Sequence, residues 1–290
     1  MKAALKQLLA LAIPCWLLLP IAQATQRSPG SFVPIGGGYT QASLKGFARV
    51  VVNAAPGRDI KILVVPTAYG DNPNERQANL QLARNRTALI QSACGAVLQA
   101  PAMRCTAQLV PLLDRADALN RDNSALFSAP DVAGVFFLGG DQDVAMRVMA
   151  GSPVESAMQA AHERGVAFGG TSAGDSVESR NMVAGYSPGF DDTSELDQGA
   201  VSVWWADGGD GQRGLAFGLP GVLLDQHFYQ RGRFGRLINM VAQSAAHYHD
   251  HGLLGMGFDF GTGAEVRAGG LLTGIFGSSS VAIVDFRTAN

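Results

Sequence analysis

Gly170-Thr171-Ser172-Ala173-Gly174 sets a serine between glycines. In a G-x-S-x-G elbow, a sharp strand-to-helix turn exposes the serine, and the glycines let neighbouring segments come close. The first N–H groups of the following helix would face a developing oxyanion. The same five residues also read as a tight turn with a capping serine, and the pattern alone keeps both readings open. A serine nucleophile needs a base. Among His162, His227, His247, His249 and His251, the best candidate is His227, which closes the apolar run "GVLL". His162 falls inside a helical stretch and is expected at the surface. Arg231, Arg233 and Arg236 follow His227 in "DQHFYQRGRFGRL". Arginine forks grip carboxylates in bidentate fashion. Three cations where a helix opens oppose its dipole, so they point to an acidic ligand or partner rather than to a solvated turn. "HYHDH", with His247, His249, Asp250 and His251, has no spacing of a closed structural metal site, and histidines suit a helix end. No metal is assigned.

The elements around these residues alternate. "IKILVVPTA", "VAGVFFLGG", "VAFGG" and "GVLLDQHF" read as strands, and "TAQLVPL" as a further one. "LKGFARVVVNAA", "NPNERQANLQLARNRTALIQSAC", "AGDSVESRNMV" and "RFGRLINMVAQSAAHY" read as helices. "SPVESAMQAAHERG" is a punctuated helix: Ser152 as cap, Pro153 in the first turn, Glu155 completing a capping box and Gly165 beyond the end. Late strands are expected in "GGLLTGIFGSSSVAIVDF". Alternation of this kind implies an α/β fold, a mostly parallel sheet with helices on both faces. Ligands of such sheets gather at the carboxyl ends of the strands. That rule collects Gly139-Gly140-Asp141-Gln142, Ser172 and Asp225-Gln226-His227 in one place.

The chain has 290 residues, 47% hydrophobic and 16% charged, with a formal net charge of −2. These values suit a globular protein and give no argument for nucleic acid or a membrane surface. Lys2 and Lys6 precede "LLALAIPCWLLLPIA", and Ala22-Gln23-Ala24 ends the run. A basic start, a short apolar core and an A-x-A site read as a secretory signal over residues 1–24, with an exported protein over 25–290 as a single domain. Pro14 and Pro20 break the run, which disfavours a spanning helix, and Pro14 before Cys15 disfavours a lipid anchor. Cys94 and Cys105 remain after cleavage. In an exported protein they form either a disulfide or two separate buried thiols.

"IGGG", "LVVPTA", "FFLGGDQ", "GGTSAGDSV" and "LLDQHFYQRGRFGRL" stand in the order and approximate spacing of cyanophycinases. The sequence resembles that family, serine peptidases grouped with aspartyl dipeptidase, from about Val33 to Ala264. The resemblance implies a flavodoxin-like α/β fold related to class I glutamine amidotransferases. It implies Ser172 as nucleophile, His227 as base, and an oxyanion hole from the Ala173 N–H with that of Gly140 in the Gly139-Gly140 turn. It implies Gln142, Asp225, Gln226, Arg231, Arg233 and Arg236 as substrate-binding, with no cofactor. The implied substrate is cyanophycin, a poly-aspartate backbone carrying arginine on each side-chain carboxyl, cut to β-Asp-Arg; Asp225 or Asp141 would pair with a substrate guanidinium. The alternatives are an aspartyl dipeptidase or isopeptidase on short Asp peptides, and an inactive peptide-binding relative. The family's third triad member is a glutamate, and Phe260 stands at its place in "GMGFDFGTGAEV". Asp259 is taken as the third member, with Glu265 behind it. A homodimer is left open.

Overall fold

The computed structural model describes residues 28–56, 59–98, 102–209, 211–267 and 270–287. The signal segment read over residues 1–24 lies outside the described residues. The elements in chain order are β1 (Phe32–Ile35), α1 (Gln41–Ala54), β2 (Ile60–Val65), α2 (Arg76–Gly95), β3 (Cys105–Leu109), α3 (Arg115–Leu119), α4 (Arg121–Leu126) and β4 (Val132–Phe137). Next come α5 (Gln142–Met149), α6 (Pro153–Glu163), β5 (Ala167–Thr171), α7 (Ala173–Ser176), β6 (Ser179–Tyr186), β7 (Val201–Trp204) and β8 (Leu219–Asp225). The last are α8 (Phe234–Tyr248), β9 (Leu254–Phe258), β10 (Thr262–Arg267), β11 (Leu271–Gly277) and β12 (Val281–Val284).

The strands form a 7-stranded sheet, β11-β10-β1-β5-β4-β2-β3, and a 5-stranded one, β12-β9-β8-β6-β7. In the larger sheet β1, β5, β4, β2 and β3 are parallel. Its run β3-β2-β4-β5 repeats the 2-1-3-4 start of the flavodoxin order, and β1 takes the place beside β5. In the smaller sheet β6, β8 and β9 are parallel, with β7 and β12 antiparallel at the edges. The α/β reading with a mostly parallel sheet therefore holds, with the strands divided between two sheets.

Strand alternation sends neighbouring side chains to opposite faces. Val33, Ile35, Ile62, Val64 and Phe136 pack under α1 and α2. Leu63, Val135, Phe137 and Phe168 face the other way, onto α5, α6 and the inner side of the smaller sheet. Leu223 points outward to α8, and Leu224 inward. Cys94, at the end of α2, and Cys105, which opens β3, form a disulfide. Among the described residues no helix is long and apolar enough to cross a membrane.

Three local expectations are corrected. The helix expected over "AGDSVESRNMV" stops at Ser176, because Asn181 and Met182 pair with Leu223 and Leu224 of β8. His162 is buried, its ring 4.7 Å from that of Phe32 and beside Phe168 and Phe217. Ser152 does cap α6, accepting the Glu155 N–H at 3.1 Å, but the Glu155 carboxylate accepts from Gly151 and pairs with Arg213 instead of closing the box.

Candidate active site

The carboxyl ends of β1, β4, β5 and β8 meet at one point. Register sets Ile35 beside Thr171, so the Gly36-Gly37-Gly38 loop runs past Ser172. The Ser172 N–H donates to the Ile35 carbonyl at 2.9 Å, and the His227 N–H donates to the Gly36 carbonyl. The end of β1 thus ties Ser172, which follows a strand of the larger sheet, to His227, which follows one of the smaller sheet. Ser172 holds φ 57° and ψ −120°, and His227 holds φ 51°. Both conformations are costly for residues with a Cβ and gather at functional turns. Together they bring Ser172 Oγ to 2.9 Å from His227 Nε2. Gly37 passes so close to the imidazole that a Cβ there would lie 2.4 Å from Cε1.

The Gly139-Gly140 turn backs onto the serine: a Cβ on Gly139 would lie 3.1 Å from that of Ser172. The Gly139 N–H donates to the Tyr39 hydroxyl at 3.0 Å, and the Asp141 N–H to the Ala68 carbonyl. Among the described residues, no hydrogen bond engages the Gly140 or Ala173 N–H. These are the two donors expected from the sequence, and they flank Ser172 in chain and in space.

Asp259, expected as the third member, shares no hydrogen bond with His227 among the described residues. His227 Nδ1 lies 2.5 Å from Oε1 of Gln230, three residues on. Asp259 reaches Gln230 instead: its Oδ1 accepts the Gln230 backbone N–H at 2.9 Å. Burial works against the Asp259 carboxylate, but this bond and its neighbours hold its pKa below the usual range. Phe260 lies over the imidazole, ring centres 5.9 Å apart. Glu265 sits at the far end of the sheet, accepting from Ser31 and Arg267. Burial lowers the pKa of His227, and Arg231, Arg233 and Arg236 add to this, so the imidazole is neutral and able to accept a proton near neutral pH.

The expected substrate residues divide. Asp225 is fully buried and holds Arg236, itself 2% exposed, through two hydrogen bonds. These two support the site from behind, and Asp225 is not free for a substrate guanidinium. Gln142 is buried and donates to the Val183 carbonyl. Gln226 Oε1 lies 3.5 Å from Ser172 Oγ and accepts from Arg233 at 2.8 Å. Burial, then Arg236, lowers the pKa of Arg233 to about 10, which leaves it charged. Arg231 is exposed and makes no ion pair among the described residues. Asp141, on the oxyanion turn, is exposed but caps α5 with one oxygen.

Two acids passed over in the sequence lie directly behind the serine. Asp175 and Glu178 are fully buried; the Asp175 carboxyl has no hydrogen-bond partner among the described residues, and the Glu178 carboxyl has only a weak approach of the Val33 N–H. Burial raises both pKa values well above the ordinary range; Asp225 adds to the shift at Asp175, and Asp175 to that at Glu178. Among the described residues no group of three or more histidine, cysteine or acidic side chains is placed to hold a metal.

No protein-family model matches the chain. A cyanophycinase from Trichormus variabilis is 34% identical over 181 residues, 62% of this chain and 54% of that protein. One from Synechococcus elongatus is 35% identical over 175 residues, 60% of this chain and 48% of that protein. The chain spans about half the length of the curated relatives it matches. A crystal structure of a peptidase from an acI-B1 Actinobacterium superposes with a TM-score of 0.57 at 20% identity, covering 90% of this chain and 92% of the other. At that identity the match speaks to the fold. The resemblance to cyanophycinases carried by the sequence motifs is borne out over 62% of the chain, on the fold of a solved peptidase.

Proposed function

We propose that this chain is an exported serine peptidase of the cyanophycinase type, cutting cyanophycin to β-Asp-Arg. The observation that carries the reading is the contact of 2.9 Å between Ser172 Oγ and His227 Nε2, beside two unengaged N–H groups. Ser172 Oγ bonds to the carbonyl carbon as its proton passes to Nε2. The oxyanion takes the Gly140 and Ala173 N–H groups. The C–N bond then breaks as Nε2 returns the proton to the leaving amine, and water repeats the cycle to release the acid. Arg231 and Arg233 receive substrate carboxylates, Gln226 a substrate amide, and Asp141 a guanidinium. Asp225 and Arg236 hold the base loop in place. Export rests on the basic, apolar and A-x-A pattern of residues 1–24.

The test is incubation of the mature protein with cyanophycin, with mass spectrometry of soluble products and Ser172→Ala in parallel. β-Asp-Arg from the wild type alone is expected. Product from both proteins would remove Ser172 from the chemistry. Turnover of Asp-X dipeptides without polymer would make the protein a dipeptidase. One observation favours a second reading, a peptide binder without turnover: among the described residues no carboxylate contacts His227. That reading expects polymer binding, no product and no labelling of Ser172 by a fluorophosphonate.

A further inference from the structure

We infer that Gln230 is the positioning residue for His227, so that a neutral amide carbonyl takes the place a carboxylate holds in a Ser-His-acid triad. This deepens the proposed function and rests on Ser172 and His227 as the reacting pair.

The geometry is a linear chain: Ser172 Oγ, His227 Nε2, His227 Nδ1, Gln230 Oε1, with contacts of 2.9 Å and 2.5 Å at its ends. A carbonyl oxygen only accepts, so this contact puts the proton on Nδ1 and leaves the Nε2 lone pair facing the serine hydroxyl. That is the tautomer a general base needs. An amide also has a donor face, and if it turned, the proton would move to Nε2 and disarm the base. The backbone restrains Gln230. Its N–H is held by Asp259, and the Arg231 N–H returns to the His227 carbonyl at 2.9 Å. The turn begins at the positive φ of His227, which folds residue 230 back over the ring.

The alternatives nearby are occupied. Asp259 accepts a backbone N–H, Asp225 is held by Arg236, and Phe260 offers the ring only an apolar face. The charges around the imidazole are therefore Arg231, Arg233 and Arg236, partly offset by Asp225 and by Asp259, which lies beyond the Gln230 N–H. An amide dipole stabilises an imidazolium less than a carboxylate does. The protein thus has a correctly oriented base with weak support for its charged form.

The experiment is 15N NMR of the His227 imidazole in wild type, Gln230→Glu and Gln230→Ala, with kcat, KM and pH profiles on any peptide the wild type cuts. Gln230 is exposed, and circular dichroism checks that each variant folds. The wild type should show the Nδ1–H tautomer and an acid limb below the ordinary histidine value of ~6.5. Gln230→Glu should keep the tautomer and move both the His227 titration and the acid limb up by about one pH unit or more. Gln230→Ala should lose the fixed tautomer and lower kcat at least ~10-fold, toward the ~10⁴-fold loss that a wrong tautomer causes, with KM nearly unchanged. A tautomer, titration and kcat unmoved by either variant would overturn the inference. The NMR needs no substrate. The expected tautomer and shift in a protein that cuts no peptide would sink the proposed function and leave Gln230 in its role.

Discussion

Ser172 and His227 each hold a positive φ that a side chain disfavours. Such turns cost on the order of 1–3 kcal/mol apiece and persist only where the surroundings enforce them. Here the enforcement comes from hydrogen bonds to Ile35 and Gly36. Tyr39 does the same for the Gly139-Gly140 turn, proposed to hold the oxyanion: its hydroxyl takes the Gly139 N–H, and the Arg86 guanidinium lies 4.2 Å over its ring. The Gly140 N–H is thereby left as the donor of that turn. Removing one direct oxyanion donor costs ~10²–10³-fold in kcat. Tyr39 acts through Gly139, so Tyr39→Phe should lower kcat by roughly tenfold, with KM within about a factor of two; steady-state kinetics with a circular dichroism control checks this. The meeting of Ser172 and His227 was legible from the sequence because each closes an apolar run and its neighbours carry chemical meaning. Gln230 was not. Its role depends on a backbone turn rather than on its residue type, and the one available sign was its three-residue spacing from His227.

The short helix α7 sets the scale of elements. It carries Asp175 into the core without a hydrogen-bond partner and leaves Glu178 buried just beyond its end. A carboxyl whose folded pKa is raised by burial is neutral in the fold. Stability is then full below the ordinary aspartate value of 3.8 and declines as pH rises toward the folded pKa. Asp175→Asn cannot ionise. Its melting temperature should match the wild type near pH 4 and exceed it increasingly toward pH 9, by ~2–4 °C for each kcal/mol of ionisation cost removed. Differential scanning calorimetry across pH reads this, and a constant gap would exclude ionisation as its origin. The sequence reading carried the helix through to Val183, since "SVESRNMV" has no period strong enough to mark a break. The change to a strand comes from pairing with β8, a partner more than 30 residues away in sequence. Elements with strong local signals, such as β2, β4 and the capped α6, were read correctly for the opposite reason.

At the scale of the whole molecule, Asp225 and Arg236 fasten α8 to the end of β8 inside the protein. Removing one partner of a buried ion pair strands the other charge and costs about 3–5 kcal/mol. Arg236→Ala should lose stability of that order, seen as a lower urea midpoint at unchanged slope. Arg236→Met with Asp225→Leu should recover much of it, as an apolar pair of similar volume often does. The α/β class and the clustering of loops at the strand ends were legible from alternation. The division into two sheets was not, because hydrophobic patterning fixes which residues are buried but not which edges pair.

The glycine loop after β1 gives the molecule a further property. Where it leaves β1, the adjacent carbonyls of Ile35 and Gly36 are tied to Ser172 and His227, which follow strands of different sheets. The Ser172–His227 contact is therefore assembled by architecture as much as by chemistry. A catalogue of inactivating substitutions would trace the seam between the sheets as well as the residues that touch substrate. Any constraint on that pair is therefore also a constraint on how the two layers meet.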